Sequence, residues 1–397
     1  MALGLAPGLS VAVYSREGVY ARGFGVTDVE TNERVGADTA FYIASCTKPL
    51  TSLALTTLHH RGAVNLDEVL ASFAPDAAFP EVARAGEVTL RNLLSHTGGI
   101  ANDPIGYRVA FTGQHDPETL WRLLAVSSAN EEAPLGTFDY TNIGYNIATI
   151  LTHHRLGVGW QDLLQREVFG PAGMVRASAY MSQARAERWS VAKPHLLSPE
   201  PSLRRAYLEK TDQTMQSAGG VIMSANDAAR WLELMVEDGR VGGRQVIAPE
   251  VIAAVRAPAA TVGAEFEGYQ RERYGLGWYE GPYRDDRLFH HFGSFAGFAA
   301  HVSHIPARGV GVAVFNNNSI DFGLTHALAN YVYDLTGNYA DAEARFAAAL
   351  NAIAATRAQI LPRIAADRAN RTARPWTLTR PRAAYAGAYE NDAWGRI

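Results

Sequence analysis

The sequence predicts an α/β protein of the α+β kind: an antiparallel sheet flanked by helices, with an all-helical lobe beside it. Three observations predict it. A strand-turn-strand pattern opens the chain, helical periodicity fills the middle, and strand character returns late, before residue 320. Strands at both ends of a helical middle imply one sheet assembled from distant segments, with the helices packed on its faces.

Residues 9–15 alternate apolar and small polar side chains, Arg16-Glu17-Gly18 turns the chain, and 19–26 returns, which reads as a β-hairpin. From about residue 45 to 250 the pattern is helical, clearest over 48–60, 119–127, 143–155, 160–168 and 225–237. Short strands follow at 287–291, 298–305 and 310–316, then an amphipathic helix at 324–335. These elements define one domain over residues 1–337, its sheet drawn from the hairpin and about 285–318 and its helical lobe spanning about 60–250. Residues 338–397 read as a helical linker and an incomplete strand segment. Within them 341–368 is Ala-rich with a break or kink expected at Pro362, 372–376 is a linker, and a strand pattern starts at 385–389 and runs to Ile397.

Composition excludes several functions. The 397 residues hold one cysteine, Cys46, so neither a bridge within the chain nor a thiolate metal site is available. A net charge of −4, with no cluster of Lys or Arg, argues against nucleic acid as a partner. Stretches without charge are broken by His, Ser, Gly and Pro, so no membrane span is expected. The N-terminus lacks a basic segment followed by an apolar run, so the chain as given is expected in the cytoplasm, and in the periplasm or outside the cell if that end is incomplete. The pairs His59-His60 and His153-His154 point in different directions on a helix, and no nucleotide-binding motif occurs, so neither metal nor cofactor is expected. Only three of the 36 basic residues are lysines: Lys48, Lys193 and Lys210. Arginine cannot give up its proton near neutral pH, whereas a buried lysine can.

Chemistry concentrates in three places. Ser45-Cys46-Thr47-Lys48 opens a helix, so Ser45 meets the free N–H groups of its first turn and Lys48 stands on the same face one turn on. A desolvated lysine there can take the serine proton. The blander reading is a helix cap with a surface lysine, and Ser190-Val191-Ala192-Lys193 repeats the spacing without an apolar helix behind it. Tyr140-Thr141-Asn142 leads into the helix at 143–155, offering a phenol that can pass a proton and an amide that can both donate and accept. Taken alone, it reads as an N-cap beside a buried tyrosine. His291-Phe292-Gly293-Ser294 closes a strand, with Gly293 allowing close approach to the strand edge and His291 able to donate a proton or hydrogen bond near neutral pH. His96-Thr97-Gly98 has the same form but reads as part of a Gly-Gly turn. Cys46 reads as a small packing residue.

Tyr140 follows Ser45 by 95 residues and His291 follows it by 246. In that order, with Phe41-Tyr42-Ile43-Ala44, the stretch from Leu93 to Gly99 and the stretch from Ser217 to Asp227, the chain resembles the serine β-lactamase and penicillin-binding-protein superfamily. The likeness is to the branch of class C β-lactamases, D-alanyl-D-alanine carboxypeptidases, D-aminopeptidases and family VIII esterases, and it covers about residues 7–337. It implies a β-lactamase/transpeptidase-like fold, with Ser45 as the acylated nucleophile and Lys48 and Tyr140 sharing the acid-base work. Asn142 would orient a substrate amide, and the backbone N–H groups of Ser45 and Ser294 would form the oxyanion hole. His291 stands where β-lactamases usually carry the lysine of K-T-G, which weakens selection for a substrate carboxylate and leans toward peptidases or amidases. Family relatives usually carry an export signal and an N-terminal helix, and some end in a lipocalin-like barrel whose opening strand the stretch 385–396 resembles.

The expected activity is a serine hydrolase acting through an acyl-enzyme on small or linear peptides, including peptides with D-residues. Ester or weak β-lactam hydrolysis is the alternative, and a non-catalytic scaffold of the same fold is the second; among partners, a homo-oligomer paired through the C-terminal strand edge is allowed.

Overall fold

Strand β1 (Gly8–Ser15) turns into β2 (Gly18–Gly25), with Val11 opposite Arg22 and Val13 opposite Tyr20. The structure, a computed structural model, describes residues 6–198, 203–318, 322–375 and 377–396. The hairpin forms one edge of an eight-stranded antiparallel sheet completed by β3 (Ala260–Phe266), β4 (Tyr269–Tyr274), β5 (Tyr279–Tyr283), β6 (Asp286–Phe295), β7 (Phe298–Ile305) and β8 (Val310–Asn316). The spatial order is β3-β4-β5-β6-β7-β8-β1-β2.

The sheet is covered on both faces. Every residue of β8 is buried, and its side chains divide by parity: Ala313 and Phe315 join the larger core, while Val310, Val312 and Val314 join a smaller one. The larger core holds helices α1 (Thr47–His60), α2 (Ile143–Leu156) and α3 (Ala225–Val236). Trp231, Leu232, Leu234 and Met235 of α3 are buried in it. On the opposite face, α4 (Gly323–Thr336) sets Ala329 and Tyr333 against the valines of β8. That side also buries imidazoles: His301 bonds His326 through their Nδ1 atoms at 2.9 Å and Ser303 through Nε2 at 2.6 Å. Burial pushes the pKa values of His290, His301 and His326, and of His304 on the other face beside Trp278, below the usual histidine range, so these rings are neutral at neutral pH.

The structure departs from the sequence reading in four places. The sheet begins at Ala260, not near 285, because β3 and β4 carry Glu265, Arg271, Glu272 and Arg273 and hide the alternation expected of a strand. The helices expected at 119–127 and 160–168 are cut short, passing into a 3-10 turn (Leu123–Val126) and a π turn (Gln165–Phe169). Helix α5 (Ala342–Ala373) runs through Pro362 without a break. Pro362 is exposed, so water can serve the carbonyl that it leaves unpaired. Residues 385–389 are not a strand. Arg382–Tyr385 is a 3-10 turn, and the strand pair is Glu390–Asn391 with Gly395–Arg396. This terminal hairpin docks on the body: Arg108 donates to the carbonyls of Ala393 at 2.6 Å and Asp392 at 2.7 Å, and Trp394 meets Tyr107 edge to face. The N-terminal residues 1–5, Trp376 of the expected linker and Ile397 at the end of the expected strand lie outside the described residues.

Candidate active site

Ser45 sits in a 3-10 turn (Ala44–Cys46) that feeds directly into α1. Ala44 before it has φ 45°, a left-handed conformation that costs a residue with a Cβ and persists only where the surroundings impose it. Pro49 occupies the first turn of α1, where no intrahelical bond is lost. Strand β6 presses against this turn. A Cβ at Gly293 would stand 2.2 Å from the Ile43 carbonyl oxygen and 2.9 Å from the Ser45 nitrogen, so only glycine fits there. That approach brings Ser294, the next residue along β6 and an exposed one, to the side of the serine turn.

Lys48 is 0% exposed. Its Nζ donates to Ser45 Oγ at 3.3 Å, Asn142 Oδ1 at 2.6 Å and the Ala218 carbonyl at 2.9 Å. No carboxylate among the described residues pairs with it, and burial brings its pKa down to about 7. The amine is thus poised between protonated and free at neutral pH.

Tyr140 brings its ring within 4.8 Å of that amine. Tyr140 is 37% exposed, yet desolvation holds its phenol well above the ordinary pKa, in the protonated form, with the nearby Ser45 hydroxyl acting in the opposite direction. Thr141 Oγ1 accepts from the Ile143 N–H at 3.1 Å and so serves the start of α2. Asn142 makes no cap hydrogen bond, and its side-chain oxygen serves Lys48 instead.

His291 is buried beside them, its ring 6.0 Å from that of Tyr140. Its Nδ1 lies 2.8 Å from the Phe292 carbonyl oxygen, and a nitrogen facing a carbonyl must carry the proton. Desolvation, with the Lys48 and Arg271 charges nearby, pushes its pKa well below the usual value. The ring is therefore neutral, and Nε2, buried and without a hydrogen-bond partner among the described residues, carries a lone pair. At neutral pH the ring has no extra proton to give, and its one N–H is turned to the Phe292 carbonyl. Cys46 donates its thiol to the His291 carbonyl at 3.3 Å, and burial pushes the thiol pKa up, in keeping with a packing residue.

Ser45, Lys48, Tyr140, Asn142, His291 and Gly293 thus come together, and Ser294 is the next residue along β6. The second Ser-x-x-Lys does not join them: Ser190 donates to Glu33 and Lys193 pairs with Glu209. Sequence reasoning missed His96. Its ring packs 4.5 Å from Tyr140, its Nδ1 accepts from the Thr141 N–H at 3.2 Å, and its Nε2 meets the Tyr274 hydroxyl at 3.2 Å. His96 therefore brackets the tyrosine loop from behind. Its H-x-G form and the family-like stretch Leu93 to Gly99 mark it in the sequence, but neither points to contact with Tyr140.

A match to the Beta-lactamase family model spans residues 1–331. The chain belongs to the beta-lactamase family. Within it, the chain is 25% identical to the unguisins hydrolase of Aspergillus violaceofuscus, over 98% of this chain and 73% of the relative. It is 26% identical to penicillin-binding protein 4 of Amycolatopsis lactamdurans, over 79% and 81%. It is 24% identical to the D-alanyl-D-alanine-carboxypeptidase/endopeptidase of Escherichia coli, over 84% and 86%. Among solved structures, the octameric penicillin-binding protein homologue from Pyrococcus abyssi superposes with a TM-score of 0.70 at 24% identity, covering 83% of this chain and 73% of that one. The D-amino acid amidase of Ochrobactrum anthropi does so with a TM-score of 0.68 at 19% identity, covering 85% and 95%. These likenesses agree on the fold, and the curated relatives include a hydrolase and a carboxypeptidase/endopeptidase. Among the described residues no helix is long and apolar enough to cross a membrane.

Proposed function

We propose that this protein is a serine hydrolase working through an acyl-enzyme at Ser45, with small or linear peptides and amides, including those with D-residues, as its leading substrates. The observation that carries the reading is the Lys48 amine, buried, free of any carboxylate and 3.3 Å from the Ser45 hydroxyl. As Ser45 Oγ attacks the substrate carbonyl carbon, Lys48 takes its proton. The backbone N–H groups of Ser45 and Ser294 hold the oxygen that gains charge. Tyr140 gives its phenolic proton to the departing nitrogen and regains one from the Lys48 ammonium. Lys48, neutral again, then draws a proton from the water that attacks the acyl group, and Ser45 recovers its hydrogen when the tetrahedral adduct collapses.

The lone pair on His291 Nε2 favours a substrate that brings an N–H donor to that side over one that brings a carboxylate. This supports amide and peptide substrates over β-lactams, and so do the carboxypeptidase and amidase among the relatives. A panel of a D-amino-acid anilide, a linear peptide, a nitrophenyl ester and a chromogenic cephalosporin tests it. The anilide or peptide should turn over with the highest kcat/KM, and preference for the ester or the cephalosporin overturns the amidase reading. Ser45→Ala should abolish both turnover and labelling by a fluorophosphonate, whereas a wild-type chain that never labels would leave a scaffold. Self-association is a secondary reading, supported by the octameric Pyrococcus homologue, and light scattering at graded concentrations decides it.

A further inference from the structure

The chain buries a second lysine away from Ser45. Lys193 and Lys210, the two lysines that the mechanism leaves unused, line one cavity of about 280 Å³ with Tyr42, Trp189, Phe298, Arg185 and Arg188 on its walls and rim. None of Ser45, Lys48, Tyr140, Asn142 or His291 reaches it. Lys210 is 4% exposed, and its Nζ donates only to main-chain carbonyls, of Thr211 at 2.9 Å and Ala179 at 3.4 Å. An ammonium has three N–H bonds, so one is left over. Tyr42 is buried as well, and its hydroxyl has no hydrogen-bond partner.

Asp212 attracts the Lys210 amine without pairing with it, and a buried amine and a buried phenol with no paired partner are costly unless something else completes them. The acids nearby are already engaged. Glu209 pairs with Lys193 and Arg205, Glu33 accepts from Ser190, and Asp212 accepts from the Ser182 N–H. Glu33 and Glu209 line the cavity too, but among the described residues Lys210, Arg185 and Arg188 form no ion pair, so four cationic side chains face two carboxylates and the lining keeps an excess of positive charge. Trp189 and Phe298 give it flat apolar walls, and Tyr42 meets Phe298 edge to face at 5.8 Å. Its size lies near the lower end for small-molecule pockets, roughly 300 Å³.

We propose that this cavity is a second binding site, which takes a small organic carboxylate with a flat apolar body. The carboxylate sits on Lys210 and the Tyr42 hydroxyl, and the body lies between Trp189 and Phe298. One negative charge balances the one buried amine, and two oxygens match two unpartnered donors.

Because the chain has only three lysines, reductive methylation with formaldehyde and cyanoborohydride, read peptide by peptide in a mass spectrometer, reports each one separately. Benzoate is the probe. At ten times its dissociation constant it should slow methylation of Lys210 about tenfold while leaving Lys48 unprotected. Tyr42→Phe should weaken that protection about tenfold, through loss of a hydrogen bond to a charged group. Arg185→Gln, at an exposed position, gives a second reading should the first variant fail to fold, and should weaken it about threefold. Equal protection by neutral benzamide overturns the anion reading, and protection by inorganic phosphate as strong as by benzoate overturns the apolar body. No slowing at Lys210, or slowing at Lys48 instead, overturns the site.

Discussion

Lys48 and Lys210 are both buried, and desolvation brings each amine from an ordinary 10.5 down to about 7. Around Lys48 stand a serine hydroxyl, a side-chain amide oxygen and the ring of Tyr140. Around Lys210 stand two main-chain carbonyls and an open cavity. The same perturbation serves proton transfer in one place and leaves an unfilled receptor in the other. A shifted pKa therefore marks a site, and the neighbours decide what kind.

The largest effect expected from breaking this comparison is at Lys48. Lys48→Met should lower kcat/KM on an anilide by a factor on the order of 10⁴, and Lys48→Arg should not restore it, because a guanidinium holds its proton. A rate within tenfold of wild type for either variant would mean that the two lysines do not differ as described. Next is His96, which positions Tyr140 without touching substrate. His96→Ala should cost about a hundredfold in kcat with little change in KM, since small displacements of a catalytic group have that scale of effect. Partial rescue by His96→Gln, which can still bond the Thr141 N–H, separates positioning from general loss of fold.

The pH profile sharpens the contrast further. If the free Lys48 amine is the base, kcat/KM should fall about tenfold per pH unit below roughly pH 7 and level off above it. His291, held neutral well below 6.5, should add no limb of its own near neutrality. The smallest effect concerns stability. Each lysine binds a proton more readily in the unfolded chain than in the folded one, so between about pH 7 and 10.5 the unfolded state carries the extra proton and stability rises with pH. Lys210→Met removes one of the two contributions. The gain in Tm between pH 6.5 and 9 should shrink accordingly, and an unaltered gain would show that Lys210 keeps its ordinary pKa.

Legibility from sequence followed the range of the interaction. Ser45 and Lys48 stand one helical turn apart, and the first hairpin alternates within eight residues, so local pattern was enough. His96 gains its role from a loop beginning at Tyr140, and nothing in its own neighbourhood signals that contact. The outer strands β3 and β4 were hidden by their charges, which suit a sheet edge in water better than a core. The polarity of His291 was beyond sequence reading too, because the position of the Phe292 carbonyl fixes which ring nitrogen carries hydrogen.

The buried imidazoles have a consequence of their own. His96, His290, His291, His301, His304 and His326 are all held uncharged by the fold, whereas in the unfolded chain each would titrate near 6.5. On acidification below that point, protons accumulate on the unfolded chain and are refused by the native one, and the six penalties act together. Stability should therefore fall as pH drops below about 6.5, and thermal melts over pH 5–8 check it.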